Sequence, residues 1–181
     1  STADSFNQDL SKWDVSRVTG MLAMFHLAKS FNQDLSKWDV SRVTNMGAMF
    51  EGAYSFNQDL SKWDVSQVTI MNNMFQNAKS FNQDLSNWNV GQVVNMDNLF
   101  KGAVSFKQVL CGEAWTSVRK PNLFIGSSGS IAAWTCFSPQ NNDALKSAVK
   151  TCLELSPAGD CSTTTYRSIR NWDVSQVTNM D

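Results

Sequence analysis

"FNQDLSKWDVSRVTNMGAMF", residues 31–50, recurs along the chain at a fixed interval. Phe6, Phe31, Phe56, Phe81 and Phe106 are spaced by 25, as are Leu10, Leu35, Leu60 and Leu85, and Trp13, Trp38, Trp63 and Trp88. The full unit reads "FNQDLSKWDVSRVTNMxxMFxxAxS", and a fifth unit begins at Phe106 and Leu110 before drifting, with Leu123-Phe124 one place early for the Met-Phe pair. Bulky apolar residues at one spacing imply that like stacks on like. A single unit cannot bury its Phe, Trp and Met set, whereas neighbours on both sides can. Each large side chain so buried is worth about 1.5–3 kcal/mol. The aromatic and methionine stripe therefore reads as core, and no cofactor is expected.

Within a unit, "LSKWDV" places apolar residues at Leu10, Trp13 and Val15, the LxxLxL spacing of a leucine-rich-repeat strand. Side chains alternate on a strand, so Lys12 and Asp14 are expected outside and Trp13 and Val15 inside. In "VTNMGAMFEGA", Val43, Met46, Met49, Phe50 and Ala53 stand three and four apart. That spacing predicts a short helix or 3₁₀ turn, with Thr44 or Asn45 as its cap. The fold expected is α/β: a leucine-rich-repeat-like solenoid of 25-residue coils, each a short strand plus a short helix or 3₁₀ turn.

At these residues the chain resembles the BspA-like leucine-rich repeat surface proteins, whose hallmark phrase is close to "FNQDLSKWDVSRVTNM". The likeness runs almost throughout residues 6–105. It implies a secreted or surface-anchored repeat protein associated with adhesion or cell-surface structure, and it carries over no catalytic residue. Two further segments resemble the caps of such arrays. Cys111 to Phe137 resembles a closing cap. "NNDALKSAVKTCLELSPAGDCS" resembles the unit that opens a new array, with Leu145, Ala148, Val149, Cys152 and Leu153 on one helical face, Asp143 as N-cap, and Pro157 and Gly159 as the stop. The organisation expected is four regular repeats over 1–105, an irregular last coil and closing cap over 106–140, a helical opening cap over 141–166, and a first half coil over 167–181. Four cysteines allow three pairings. The caps implied by the resemblance favour Cys111–Cys136 and Cys152–Cys161, each inside one cap, and such disulfides imply an extracellular setting.

Composition bounds the function. Lys and Arg number 15 against 16 Asp and Glu, so no basic field for nucleic acid is present. No apolar run of membrane-spanning length occurs, and no signal peptide stands at Ser1, which reads as a mature chain or a fragment. There is one histidine, His26, and no CxxC pair, which supports neither a zinc site nor a nucleophile activated by histidine. His26 stands where other units have Glu51, Gln76 and Lys101, an outward, variable place. The expectation is that the chain is not an enzyme.

The outer face is the candidate partner-binding surface. Lys12, Lys37 and Lys62 form one column and Asp14, Asp39 and Asp64 the next, and in the fourth unit both become asparagine, Asn87 and Asn89. Strands about 4.8 Å apart make like charges repel by about 1 kcal/mol in water. A lysine beside each aspartate would offset that, and the joint change to asparagine suggests such pairing along a row. A second column, Asp9, Asp34, Asp59 and Asp84, follows "FNQ" in each unit. It lacks the glycine-rich calcium pattern of β-rolls, so hydrogen bonding to its own turn is expected. The chain ends on "NWDVSQVTNMD", which restarts the unit. Ile169, Trp172, Val174, Val177 and Met180 fit its apolar slots, while Ala3, Phe6 and Trp13 resume it at the other end, leaving only the three "AMF" positions unfilled. This predicts head-to-tail continuity between copies. The leading function is a structural block of an extracellular fibre, sheath or appendage. The alternative is an adhesion module binding a glycan or surface protein.

Overall fold

The structure, a computed structural model, describes residues 3–117, 122–131, 145–147 and 149–150. It divides into two compact units, Ser1–Ala132 and Ala133–Asp181. In the second, 145–147 and 149–150 are helical; the rest of the expected opening cap and the half coil over 167–181 lie outside the described residues.

In the first, each 25-residue segment lies against the next. Two columns of phenylalanine run through its interior. Phe25, Phe50, Phe75, Phe100 and Phe124 stack with ring centroids 5.4–5.6 Å apart. Phe6, Phe31, Phe56, Phe81 and Phe106 stack at 5.7–6.1 Å. The columns meet at 4.0–4.1 Å. Offset-stacked rings at these distances add attraction to area burial. Trp38, Trp63 and Trp88 tilt against the first column, and the two methionines and two valines of the second and third repeats fill the remaining core.

The backbone of the regular coils is built of turns where a strand and a short helix or 3₁₀ turn were expected. Leu35–Val43 holds two successive turns, closed by N–H groups of Trp38 and Val43 donating to the carbonyls of Leu35 and Val40 at 3.0 and 2.9 Å. Leu35, Trp38 and Val40 are buried and Lys37 and Asp39 exposed, as alternation required; turns, not an extended chain, produce it. The segment expected to form a short helix or 3₁₀ turn forms the ladder between units. The N–H groups of Met46, Ala48, Phe50 and Gly52 donate to Ile70, Asn72, Met74 and Gln76 of the next unit at 2.8–2.9 Å. Those of Met49, Glu51 and Ala53 turn back to Met46, Ala48 and Phe50 at 3.1–3.2 Å. An α-helix would keep its interior N–H groups within one segment; here alternate groups face the neighbour. Residues with positive φ recur four apart to turn them: Ala23 and Leu27, Ala48 and Gly52, Asn73 and Asn77, Asn98 and Gly102. Glycine and asparagine accept that conformation more readily than Ala or Leu. At Gly52 space matters too, since a Cβ there would lie 2.6 Å from Leu27 Cδ2. Isolated parallel bridges join Gly20, Asn45, Ile70 and Asn95.

The fifth unit breaks the pattern. β1 (Val109–Leu110) pairs in parallel with β2 (Ser130–Ile131), and α1 (Glu113–Thr116) follows β1. α1 carries Trp115 into the tryptophan slot two residues later than the repeat would, fully buried. Cys111 is disulfide-bonded. Cys136, Cys152 and Cys161 lie outside the described residues, as does the expected pairing.

Candidate functional site

The polar side chains that recur with the repeat bond to backbone. Asp9, Asp34, Asp59 and Asp84 each accept the N–H of the serine two residues on, at 2.8–2.9 Å. Asp14, Asp39 and Asp64 do the same to Ser16, Ser41 and Ser66 at 3.0–3.1 Å. The hydroxyls of Ser16 and Ser41 add 2.6 Å bonds. A carboxylate bonded to its own turn in this way locks the corner.

A ladder that the repeat spacing signalled, but sequence reasoning missed, joins the corners. Asn7, Asn32, Asn57 and Asn82 each accept, on Oδ1, the N–H of the residue 25 further on, at 2.9–3.0 Å. Gln33, Gln58, Gln83 and Gln108 donate to the same oxygens at 2.9–3.2 Å. A second such link is the tryptophan indole. Trp38, Trp63, Trp88 and Trp115 donate from Nε1 to the carbonyls of Leu10, Leu35, Leu60 and Leu85 in the preceding unit at 2.9–3.0 Å. Trp115 was also missed, because its displacement within "CGEAWT" hides it from a 25-residue register.

On the proposed partner face, Lys12, Lys37 and Lys62 and Asp14, Asp39 and Asp64 are exposed. The expected Lys–Asp rows do not form. Lys12, Lys37 and Lys62 act on Asp9, Asp34 and Asp59, while Arg17 and Arg42 act on Asp14 and Asp39. An ion pair forms elsewhere, from Lys29 Nζ to Asp4 Oδ2 at 2.8 Å. Lys79 Nζ lies 4.2 Å from the Tyr54 ring centroid. His26 is exposed. Asn87 and Asn89 are exposed, and Asn89 Oδ1 accepts the N–H of Gly91 at a longer 3.2 Å. Among the described residues no group of His, Cys, Asp and Glu is placed to hold a metal ion, and no helix is long and apolar enough to cross a membrane.

At the junction expected from the sequence, Trp13 is 55% exposed against 4% for Trp38. Phe6 is partly buried and Ala3 exposed. Ile169, Trp172, Val174, Val177 and Met180 lie outside the described residues.

The serine N–H and hydroxyl hold the carboxyls of Asp9, Asp14, Asp34, Asp39, Asp59 and Asp64 below the ordinary 3.8. Stacking opposes this, since Asp9 raises Asp34 and Asp14 raises Asp39, but does not reverse it. A lowered folded-state pKa stabilises the fold above the unfolded value, and that stability is lost as pH falls through the folded value. The urea midpoint is therefore expected to stay level from neutral pH down to about pH 5, then fall below about pH 4. Asp34→Asn with Asp59→Asn should reduce the acid slope. An equal slope in that variant would show that these carboxylates do not cause it.

These features describe a stacked repeat protein whose units are joined by aromatic columns, a backbone ladder and side-chain ladders. Residues 1–115 and 156–181 match the family described as "Mycoplasma protein of unknown function, DUF285", and the chain belongs to that family. No curated protein and no solved structure matches it.

Proposed function

We propose that the chain is a non-enzymatic, extracellular structural repeat protein of the BspA-like type. In this reading it is a leucine-rich-repeat-like solenoid, its regular coils built of turns, with disulfide-stapled caps, serving as a block of a head-to-tail surface fibre, sheath or appendage. The observation that carries it is the use made of the recurring polar side chains. Asp, Asn, Gln and Trp at repeat spacing bond to their own corners or to the adjacent unit, so the repetition serves stacking. The disulfide at Cys111 supports an oxidising compartment. A further coil, from the same polypeptide or a second copy, would cover Phe6 and Trp13 and supply the leucine-slot carbonyl that the other tryptophans use. A contact of this kind is heterologous and propagates as a filament. Electron microscopy of the native material should show fibres or layers, and Trp13→Asp should abolish association of the purified chain in sedimentation. A chain monomeric at every concentration, with no ordered native assembly, would rule this function out.

A second reading is adhesion through the outer face, favoured by the exposed lysine column, whose members form no ion pair with Asp14, Asp39 or Asp64. Binding to a glycan array or surface protein that is lost in Lys37→Ala/Asp39→Ala, with assembly intact, would select it.

A further inference from the structure

We propose that residues 169–180 of a second copy dock on the open face of the first unit, in the register that joins the units within the stack. This names the segment behind the head-to-tail contact proposed above and rests on that reading. The face is apolar and uncovered. Trp13 is 55% and Leu22 63% exposed, whereas Trp38, Trp63 and Trp88 are buried. Val18 is half-buried where Val43 and Val68 are fully buried.

Three bonds recur at this corner of the stack. A tryptophan indole donates to the leucine carbonyl of the unit before it, as Trp38 does to Leu10 at 3.0 Å. A threonine N–H donates to the threonine carbonyl of the unit before it, as Thr44 does to Thr19 and Thr69 to Thr44 at 2.9 Å. A methionine N–H donates forward, from Met21 to Asn45 at 2.8 Å, Met46 to Ile70 at 2.9 Å and Met71 to Asn95 at 2.7 Å. In the first unit the groups that stand ready for these bonds are Trp13 Nε1, the Thr19 N–H and the Gly20 carbonyl. None of the three has a partner among the described residues. Residues 169–180, "IRNWDVSQVTNM", carry the matching groups at the matching spacing: Ile169 in the slot of Leu10, Trp172 of Trp13, Val174 and Val177 of Val15 and Val18, Thr178 of Thr19 and Met180 of Met21. In this register the Ile169 carbonyl takes the Trp13 indole, the Thr178 carbonyl takes the Thr19 N–H, and the Met180 N–H donates to Gly20.

The same ladder decides what kind of segment the face accepts. The N–H groups of Met21, Ala23, Phe25 and Leu27 all donate to the second unit, at 2.8–2.9 Å. The first unit therefore turns toward any unit before it a row of carbonyls, those of Gly20, Leu22 and Met24, with no N–H between them. The edge of a β-strand offers N–H and C=O groups together. Laid on this row, such a strand would set carbonyl against carbonyl and leave both unpaired, which costs free energy once they are buried. A segment of the repeat, whose ladder N–H groups all point one way, meets no such conflict. The rim thus favours the chain's own kind over an unrelated strand, and it fixes the polarity as tail on head.

The test titrates the synthetic peptide of residues 167–181 into the isotope-labelled full chain and follows amide and indole shifts by NMR. Saturable shifts at the Trp13 indole, at Thr19 and over 20–24 are expected, and excess peptide should dissociate the self-associated chain in sedimentation. Trp172→Ala in the peptide should weaken binding about tenfold or more. N-methylation of Met180, which removes one donor and no side chain, should weaken it about three- to tenfold. A scrambled peptide of the same composition should not bind. Fibres in the native material with no saturable shift from the peptide would refute this docking and leave the fibre reading standing. Small oligomers that the peptide dissolves, with no fibre or layer in the native material, would uphold the docking and refute the fibre. A chain monomeric at every concentration, shifts confined to other units, or equal binding of the scrambled peptide would overturn the proposal.

Discussion

Trp38→Ala is expected to cost about 3–5 kcal/mol of unfolding free energy, the range for large aromatic truncations in packed interiors. Trp38 is 4% exposed, tilts against Phe25, and donates its indole N–H to Leu10 O at 3.0 Å. Truncation removes the ring contacts and one link between units together. The comparison with Trp13→Ala makes the expectation specific. Trp13 has the same repeat context but is 55% exposed, so its loss should cost about 1 kcal/mol or less. Trp38→Phe separates the two contributions at Trp38. It keeps most of the ring and loses the donor, while Leu10 O retains the N–H of Trp13, so about 1 kcal/mol is expected. Urea unfolding of the three variants measures this. Equal costs for Trp38→Ala and Trp13→Ala would contradict burial between units as the source of stability.

Phe50→Ala should be comparably severe, about 3–5 kcal/mol, because Phe50 touches both phenylalanine columns. Its ring lies 4.0 Å from Phe56, 5.4 Å from Phe25, 5.6 Å from Phe75 and 6.3 Å from Trp63. Phe50→Leu retains much of the volume and should cost about 1–2 kcal/mol. The spatial pattern of the damage is as informative as its size. Stacked repeats contact mainly their neighbours, so hydrogen exchange should rise first in the ladder around Met21–Leu27 and Met71–Asn77 and last near Phe106. A uniform rise would mean that the stack unfolds as one cooperative block.

Much of this stack was legible in the sequence because one period governs every column. Phe, Leu, Trp, Val and Met at constant spacing must meet their own kind in adjacent units, and no other arrangement buries all of them. The buried set of the second and third units follows from that period, and the exposed positions of Lys37 and Asp39 from alternation within it; Trp13, expected inside on the same grounds, is instead 55% exposed, because a tryptophan is covered only where a neighbouring unit packs on it. The outward place of His26 follows from the period as well. The tertiary structure decided the backbone path and the use of the polar columns. Spacing of three and four is shared by a helix and by a run of turns, and only the need of adjacent units for alternate N–H groups selects the turns, with left-handed residues at Ala48, Asn73 and Asn98. Likewise Lys12 beside Asp14 looks like a pair in one dimension. The corner instead gives Asp14 to Ser16, because a tight turn brings backbone and hydroxyl donors closer than the end of a flexible lysine. Trp115 makes the same point at the last unit. Its slot is filled by burial and by the Leu85 carbonyl, which are properties of position in space that a sequence register does not carry.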